Sequence, residues 1–218
     1  MRFGNGVNIN QIKKGGLQVA DQLILALGRE FGSGGHEIAN LLAERFGLIV
    51  YERNMLDHIA QEYGMNAELL KKYDEVPKRW GIYRTVNGFN NAPEDGIARI
   101  QFRYLREKAE AGESFVVVGR CAEEIFRENP AMISIFVRAD LDFKLQRTMA
   151  KTDISEEEAM ELITRKDKFR KNYHDQYCKE KWGRAKNYDL VINSAKLGVA
   201  KTADLLEQYI RARMEARA

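Results

Sequence analysis

Ten consecutive residues, Gly28-Arg29-Glu30-Phe31-Gly32-Ser33-Gly34-Gly35-His36-Glu37, join a short apolar run to a helical pattern. A glycine-rich turn of this kind brings successive backbone N–H groups to one side, and the helix start adds roughly half a positive charge, so its natural guest is a phosphate. Gly28, Gly32, Ser33, Gly34, Gly35, His36 and Glu37 are the residues expected to hold it. A turn that needs glycine only for its backbone angles would share this composition, but the position directly after a buried strand favours the anion. Phosphate loops commonly end in a lysine followed by Ser or Thr; here those places fall on Gly35 and on His36 or Glu37. The cation that is missing there would come from Arg29 or His36. Ser33 or Glu37 would reach a magnesium ion, directly or through water.

A second group of residues lies between Arg165 and Lys186, where nine basic residues face three acidic ones in a chain whose total charge is only +3. The rest of the chain is therefore net acidic. A basic segment of this sort suits a lid that closes over polyphosphate and supplies arginines to a transferring group; a solvated helix face would have the same composition. Gly119-Arg120 ends one apolar run and Tyr51-Glu52-Arg53 ends another. Arg120 and Arg53 are thus candidates to grip an acceptor phosphate in bidentate fashion. His36, His58 and His174 are scattered, and Cys121 and Cys178 have no metal-ligand spacing. Two distant cysteines argue against a disulfide scaffold and fit a reducing cytosol. One short basic patch lacks the extended stripe that nucleic-acid tracking needs.

These residues are positioned by an alternation of elements. Leu23–Leu27, Leu48–Tyr51, Phe115–Gly119, Ile133–Val137 and Leu190–Ile192 read as five short buried strands. Helical spacing follows in Ile38, Leu41, Leu42 and Phe46, in Met55, Leu56, Ile59 and Tyr63, around Leu69 and Leu70, in Ile97, Gln101, Tyr104 and Leu105, and over 122–126. Ser155 and Glu158 have capping-box spacing and open a helix toward Phe169, and 199–214 is an amphipathic closing helix. Thr85–Gly96 carries turn formers without periodicity and reads as a long surface loop. Strands alternating with helices imply a parallel sheet covered on both faces, with ligands outside the strands' carboxyl ends. Hydrophobic residues at 44% and charged residues at 31% suit one ordinary core and exclude a disordered chain. Residues 1–20 contain no signal-peptide or membrane-span pattern and are expected to be a poorly ordered leader. Residues 21–218 are expected to form one domain in a cytoplasmic protein.

From about Leu23 onward the chain resembles the cytidylate kinase-like proteins, relatives of cytidylate kinase among the nucleoside monophosphate kinases. The likeness rests on GREFGSGGHEIA, VYERNML, VVVGRCA, RKDKFRKNY and NYDLVINSAKLG. It implies a P-loop NTPase-type three-layer α/β/α fold with a five-stranded parallel sheet, a helical acceptor-binding insertion at about 52–96 and a lid at about 152–187. It also implies ATP with Mg2+, and CMP or dCMP as acceptor. By position, Arg120 would contact the acceptor nucleotide, and Arg165, Asp167 and Arg170 would be the lid residues, Asp167 on the substrate side. Arg29, His36, Arg165 and Arg170 are the catalytic candidates. A regulatory module that kept nucleotide binding without turnover, and a kinase for a non-nucleotide small molecule, remain open beside this reading. The sequence specifies no oligomeric state.

Overall fold

The computed structural model describes residues 22–52, 54–74, 85–86, 89–90 and 93–217. Arg53 and the leader at 1–20 lie outside them. In chain order the elements are β1 (Ile24–Arg29), α1 (Gly35–Phe46), β2 (Ile49–Tyr51), α2 (Met55–Tyr63), α3 (Ala67–Asp74), α4 (Pro93–Glu110), β3 (Phe115–Val118), α5 (Ala122–Ile125), β4 (Met132–Arg138), α6 (Leu141–Thr152), α7 (Glu156–Tyr177), β5 (Leu190–Asn193) and α8 (Gly198–Glu215).

The five strands form one sheet in the order β2-β3-β1-β4-β5, and every pairing is parallel. The central strand β1 is apolar along its length because both of its faces are covered. Its side chains still alternate: Ile24 and Ala26 pack with Met55, Leu56, Leu105 and Phe115 on one side of the sheet. Leu25 and Leu27 pack with Ile38, Leu42, Leu206 and Ile210 on the other. The result is three layers, with α1 and α8 on one face and α2, α4 and α5 on the opposite one. Truncating Leu27, 1% exposed, to Ala would cost about 2–5 kcal/mol.

Two expectations need correction. The stretch read as a loop through Gly96 ends earlier, because α4 starts at Pro93, and proline suits a first helical position where no N–H partner is required. Inside the same stretch Thr85–Val86 pairs antiparallel with Phe89–Asn90. The helix opened by Ser155 has the expected capping box, with Ser155 Oγ accepting from Glu158 N, but it runs on to Tyr177. Its long exposed face carries few apolar residues, so helical spacing in the sequence fades after Phe169 while the hydrogen-bonded helix does not.

Candidate functional site

The glycine-rich turn leaves the carboxyl end of β1 and enters α1 through Gly34, whose φ of 79° is left-handed. The first amides of α1 have no partners within the helix and carry its positive dipole end. Above the turn lies a cleft of about 200 Å³ lined by Gly32, Gly34, Gly35, His36 and Glu37, with Arg29, Arg147, Lys151 and Arg170 around it. Ser33 points the other way. It is fully buried, its hydroxyl donates to Glu30 O at 2.8 Å, and its carbonyl accepts from Ser194 Oγ at 2.6 Å. Glu37 lines the cleft but is paired with Arg147 at 2.6 Å and with Lys151.

Arg29 explains why glycine stands where a lysine would be expected. A Cβ at Gly35 would lie 2.6 Å from Arg29 Cβ, and one at Gly119 would collide with Arg29 Nη1. The arginine therefore runs beneath the start of α1 and ends over Gly119, at the carboxyl edge of the sheet. Its Nη2 donates to Glu52 Oε1 at 2.9 Å, and the second oxygen of Glu52 meets His36 Nδ1 at 2.6 Å. Burial pushes the Arg29 guanidinium down, to about 9, with Arg170 and Arg120 adding repulsion and Glu52 opposing them. It remains a cation at neutral pH.

On the far side of Arg29 is a larger cavity of about 340 Å³. Arg120, Arg165 and Arg170 line it together with Arg29, Glu52 and the aromatic side chains of Phe169, Tyr173, Trp182 and Tyr188. Gly119, Arg120 and Cys121 all have left-handed backbone, at φ 78°, 59° and 57°. For the two non-glycine residues this conformation costs on the order of 1 kcal/mol or more each, and it turns the end of β3 so that Arg120 faces the cavity. Arg120 lies 5.8 Å from the Tyr173 ring centre and Arg170 lies 5.6 Å from that of Phe31. Arg170 also donates to Arg29 O at 3.3 Å.

Helix α7 is fastened to the glycine-rich turn by Asp167. One of its oxygens accepts from Phe31 N at 2.6 Å and the other from Lys144 Nζ at 2.7 Å. Lys144, buried at 7% exposure, also reaches Glu30 at 3.3 Å. This pairing satisfies a buried ammonium that would otherwise be costly, and it holds the arginine-bearing face of α7 over both cavities.

At the floor of the larger cavity lies a cluster of buried polar groups. Glu123 Oε1 is 2.6 Å from His174 Nε2 and accepts from Tyr188 Oη at 3.3 Å. Cys121 and Cys178 are both buried free thiols. Burial alone would lower His174, but Cys178 and Glu123 beside it win and raise it to about 10. Cys121 lowers the Cys178 thiol, with His174 acting in the same direction against burial. Tyr188 is pushed up by burial and then by the Glu123 charge.

The profile of the cytidylate kinase-like family matches residues 24–196. The chain belongs to the cytidylate kinase-like family. Among solved structures it is similar to an uncharacterized protein from Eubacterium ventriosum, 38% identical, with a TM-score of 0.70 over 87% of this chain and 99% of that one. Shikimate kinase from Bacteroides thetaiotaomicron is 12% identical with a TM-score of 0.51, covering 87% of this chain and 98% of the other, which shows the shared fold. A uronate isomerase of Corynebacterium glutamicum is 28% identical over a 170-residue alignment that covers 72% of this chain but 32% of that protein.

In this cytidylate kinase-like chain the fold brings Gly28, Arg29, Arg120, Arg165 and Arg170 to the larger cavity and His36 and Glu37 to the loop cleft. Asp167 joins the two as a tie rather than as a cavity wall. Sequence reasoning missed Glu52, which sat unremarked in the same Tyr-Glu-Arg stretch as Arg53, and it missed Lys144. It also treated His174 and the two cysteines as unrelated, whereas the fold brings them together; the four-residue step from His174 to Cys178 was the available signal. The Mg2+ that the family implies finds no open donor in the two residues read for it. The Ser33 hydroxyl is spent inside the loop and both Glu37 oxygens are held by cations, so neither fits as a direct ligand.

Proposed function

We propose that this protein transfers the terminal phosphoryl group of ATP to a small anionic acceptor, a nucleoside monophosphate of the CMP or dCMP kind. One observation carries the reading: the loop cleft and the larger cavity share Arg29 and Arg170 as a common wall. A phosphoryl group passing from one to the other would move between two guanidinium groups, where charge developing in the transition state is stabilised without reorganisation.

In this reading the polyphosphate lies on the amides of the glycine-rich turn and the N-terminus of α1. Arg29 supplies the cation that a loop lysine would otherwise provide. Glu52 orients it by accepting from Nη2. Arg120 and Arg165 hold the acceptor's anionic group, and Phe169, Tyr173, Trp182 and Tyr188 offer flat surfaces to a ring. Helix α7 acts as the lid, with Asp167 as its latch on Phe31 N, and closure excludes water from the transfer. No side chain serves as a covalent nucleophile; catalysis is positioning and electrostatics.

Coupled ADP release, measured with ATP against a panel of nucleoside monophosphates and small hydroxyl compounds, tests the proposal. Stimulation by CMP or dCMP supports it. Stimulation only by a non-nucleotide would keep the kinase chemistry and change the acceptor. Nucleotide binding without release in any case would favour a non-catalytic module. The name isomerase belongs to the whole of a protein of which this chain matches about a third.

A further inference from the structure

Glu123, His174 and Cys178, buried beneath the larger cavity, have no part in the transfer just described. They nevertheless collect a carboxylate, an imidazole and a thiol in one place. The geometry points to a binding site for a single zinc-like divalent ion formed by Glu123, His174 and Cys178, at the floor of the arginine-lined cavity.

One ligand atom from each of the three residues lies within 4.8 Å of the other two. Zinc bonds of about 2.0–2.3 Å in tetrahedral geometry place ligand atoms about 3.3–3.8 Å apart, so small side-chain adjustments complete the site. Thiolate, imidazole and carboxylate together form a donor set for a borderline-soft ion rather than for magnesium or calcium. The scaffold on both sides is fixed. His174 and Cys178 stand one helical turn apart at the end of α7, and Glu123 occupies the first turn of α5, directly after the left-handed pair Arg120 and Cys121.

Two further observations point to a ligand. His174 is 5% exposed; its Nε2 lies 2.6 Å from Glu123 Oε1, Cys178 lies beside it, and its Nδ1, 3.6 Å from Asp175 Oδ1, lacks a hydrogen bond of ordinary geometry among the described residues. A buried polar atom without a partner is costly unless something satisfies it. Glu123 and His174 also line the cavity, so an ion has a route in from that side. Three protein ligands and one open position is the arrangement of an accessible zinc site rather than a closed structural one.

Binding is balanced in protons. Thiolate and a deprotonated imidazole nitrogen are the ligating forms, so Cys178 and His174 release their protons to solvent on binding. Affinity therefore rises with pH. The bound ion would tie the end of α7 to the end of β3.

The test uses the full chain, reduced and stripped with a chelator. Native mass spectrometry with added zinc is expected to show one ion per chain, and zinc is expected to shield a thiol from a thiol-reactive reagent. Cobalt in place of zinc should give a thiolate-to-metal charge-transfer band that Cys178→Ser abolishes and Cys121→Ala keeps. The inference is overturned if the wild-type chain retains no zinc in the mass spectrum, or if both thiols react equally fast with and without it. The wild-type measurements decide the matter even where a variant fails to fold.

Discussion

The loop cleft and the larger cavity share a wall but are built in opposite ways. The cleft is made mostly of one continuous stretch, 28–37, whose backbone is the proposed binding surface and whose charged side chains, such as Glu37 and His36, remain partly exposed. The cavity is assembled from β1, β3, α5, α7 and the segment before β5, and its floor holds buried titratable groups. A backbone site tolerates many side chains; a site made of converging side chains depends on each one. Under the proposed function the cleft would hold a polyphosphate, which many proteins do, and the cavity would set what is specific to this one.

Substitutions can break this contrast, and the largest effect is expected at the shared wall. Arg29→Met keeps the apolar stem and removes the charge; turnover in the ADP-release assay should fall by about 10³-fold or more, with a far smaller change in ATP binding measured by calorimetry. Next is Gly35→Lys, which restores the residue expected of a phosphate loop. It should lower turnover instead of raising it, because its Cβ would sit 2.6 Å from Arg29 Cβ, and it should cost about 1–3 kcal/mol in denaturant unfolding through overpacking.

A smaller effect is expected at the latch. Asp167→Asn leaves the buried Lys144 with a weaker partner and weakens the hold of α7 on Phe31 N. Unfolding free energy should drop by about 1–3 kcal/mol, and the KM for both substrates should rise more than kcat falls.

The smallest effect belongs to the exposed rim of the cleft. Burial would raise the Glu37 carboxyl, but its bonds to Lys151 and Arg147 win and hold it below the ordinary 4.5. A carboxyl depressed in the folded state contributes stability that is present above its unfolded value and lost as pH falls through its folded one. The wild-type melting temperature should therefore drop more steeply below about pH 4.5 than that of Glu37→Gln, as followed by circular dichroism; parallel curves would show that the ion pairs contribute nothing. The modest size follows from solvent exposure.

The same contrast explains what could be read from the sequence. The turn at 28–37 was legible because its glycines are adjacent and its strand and helix flank it directly. Sheet and layers were legible because buried parallel strands appear as unbroken apolar runs such as Phe115-Val116-Val117-Val118. Arg120 and the arginines of α7 were legible as positions, since both follow from strand ends and a charge run. The route of Arg29 beneath Gly35 was not, because a missing lysine and a rerouted arginine leave no periodic trace. Nor were the tie from Asp167 to Phe31 N or the grouping of Glu123, His174 and Cys178, which join residues far apart in the chain through the sheet's carboxyl edge. Local spacing carries local geometry, and a cavity made of distant segments is visible only once the chain has folded.

Arg29, lying across Gly35, is proposed to do the work of the absent lysine in moving a phosphoryl group from cleft to cavity. Single-turnover transfer from labelled ATP to CMP, compared between wild type and Arg29→Met, tests it most directly. The account predicts labelled CDP with the wild type and a loss of about 10³-fold or more in rate with the variant. Equal rates in the two proteins, or no transfer by the wild type to any monophosphate, would contradict it.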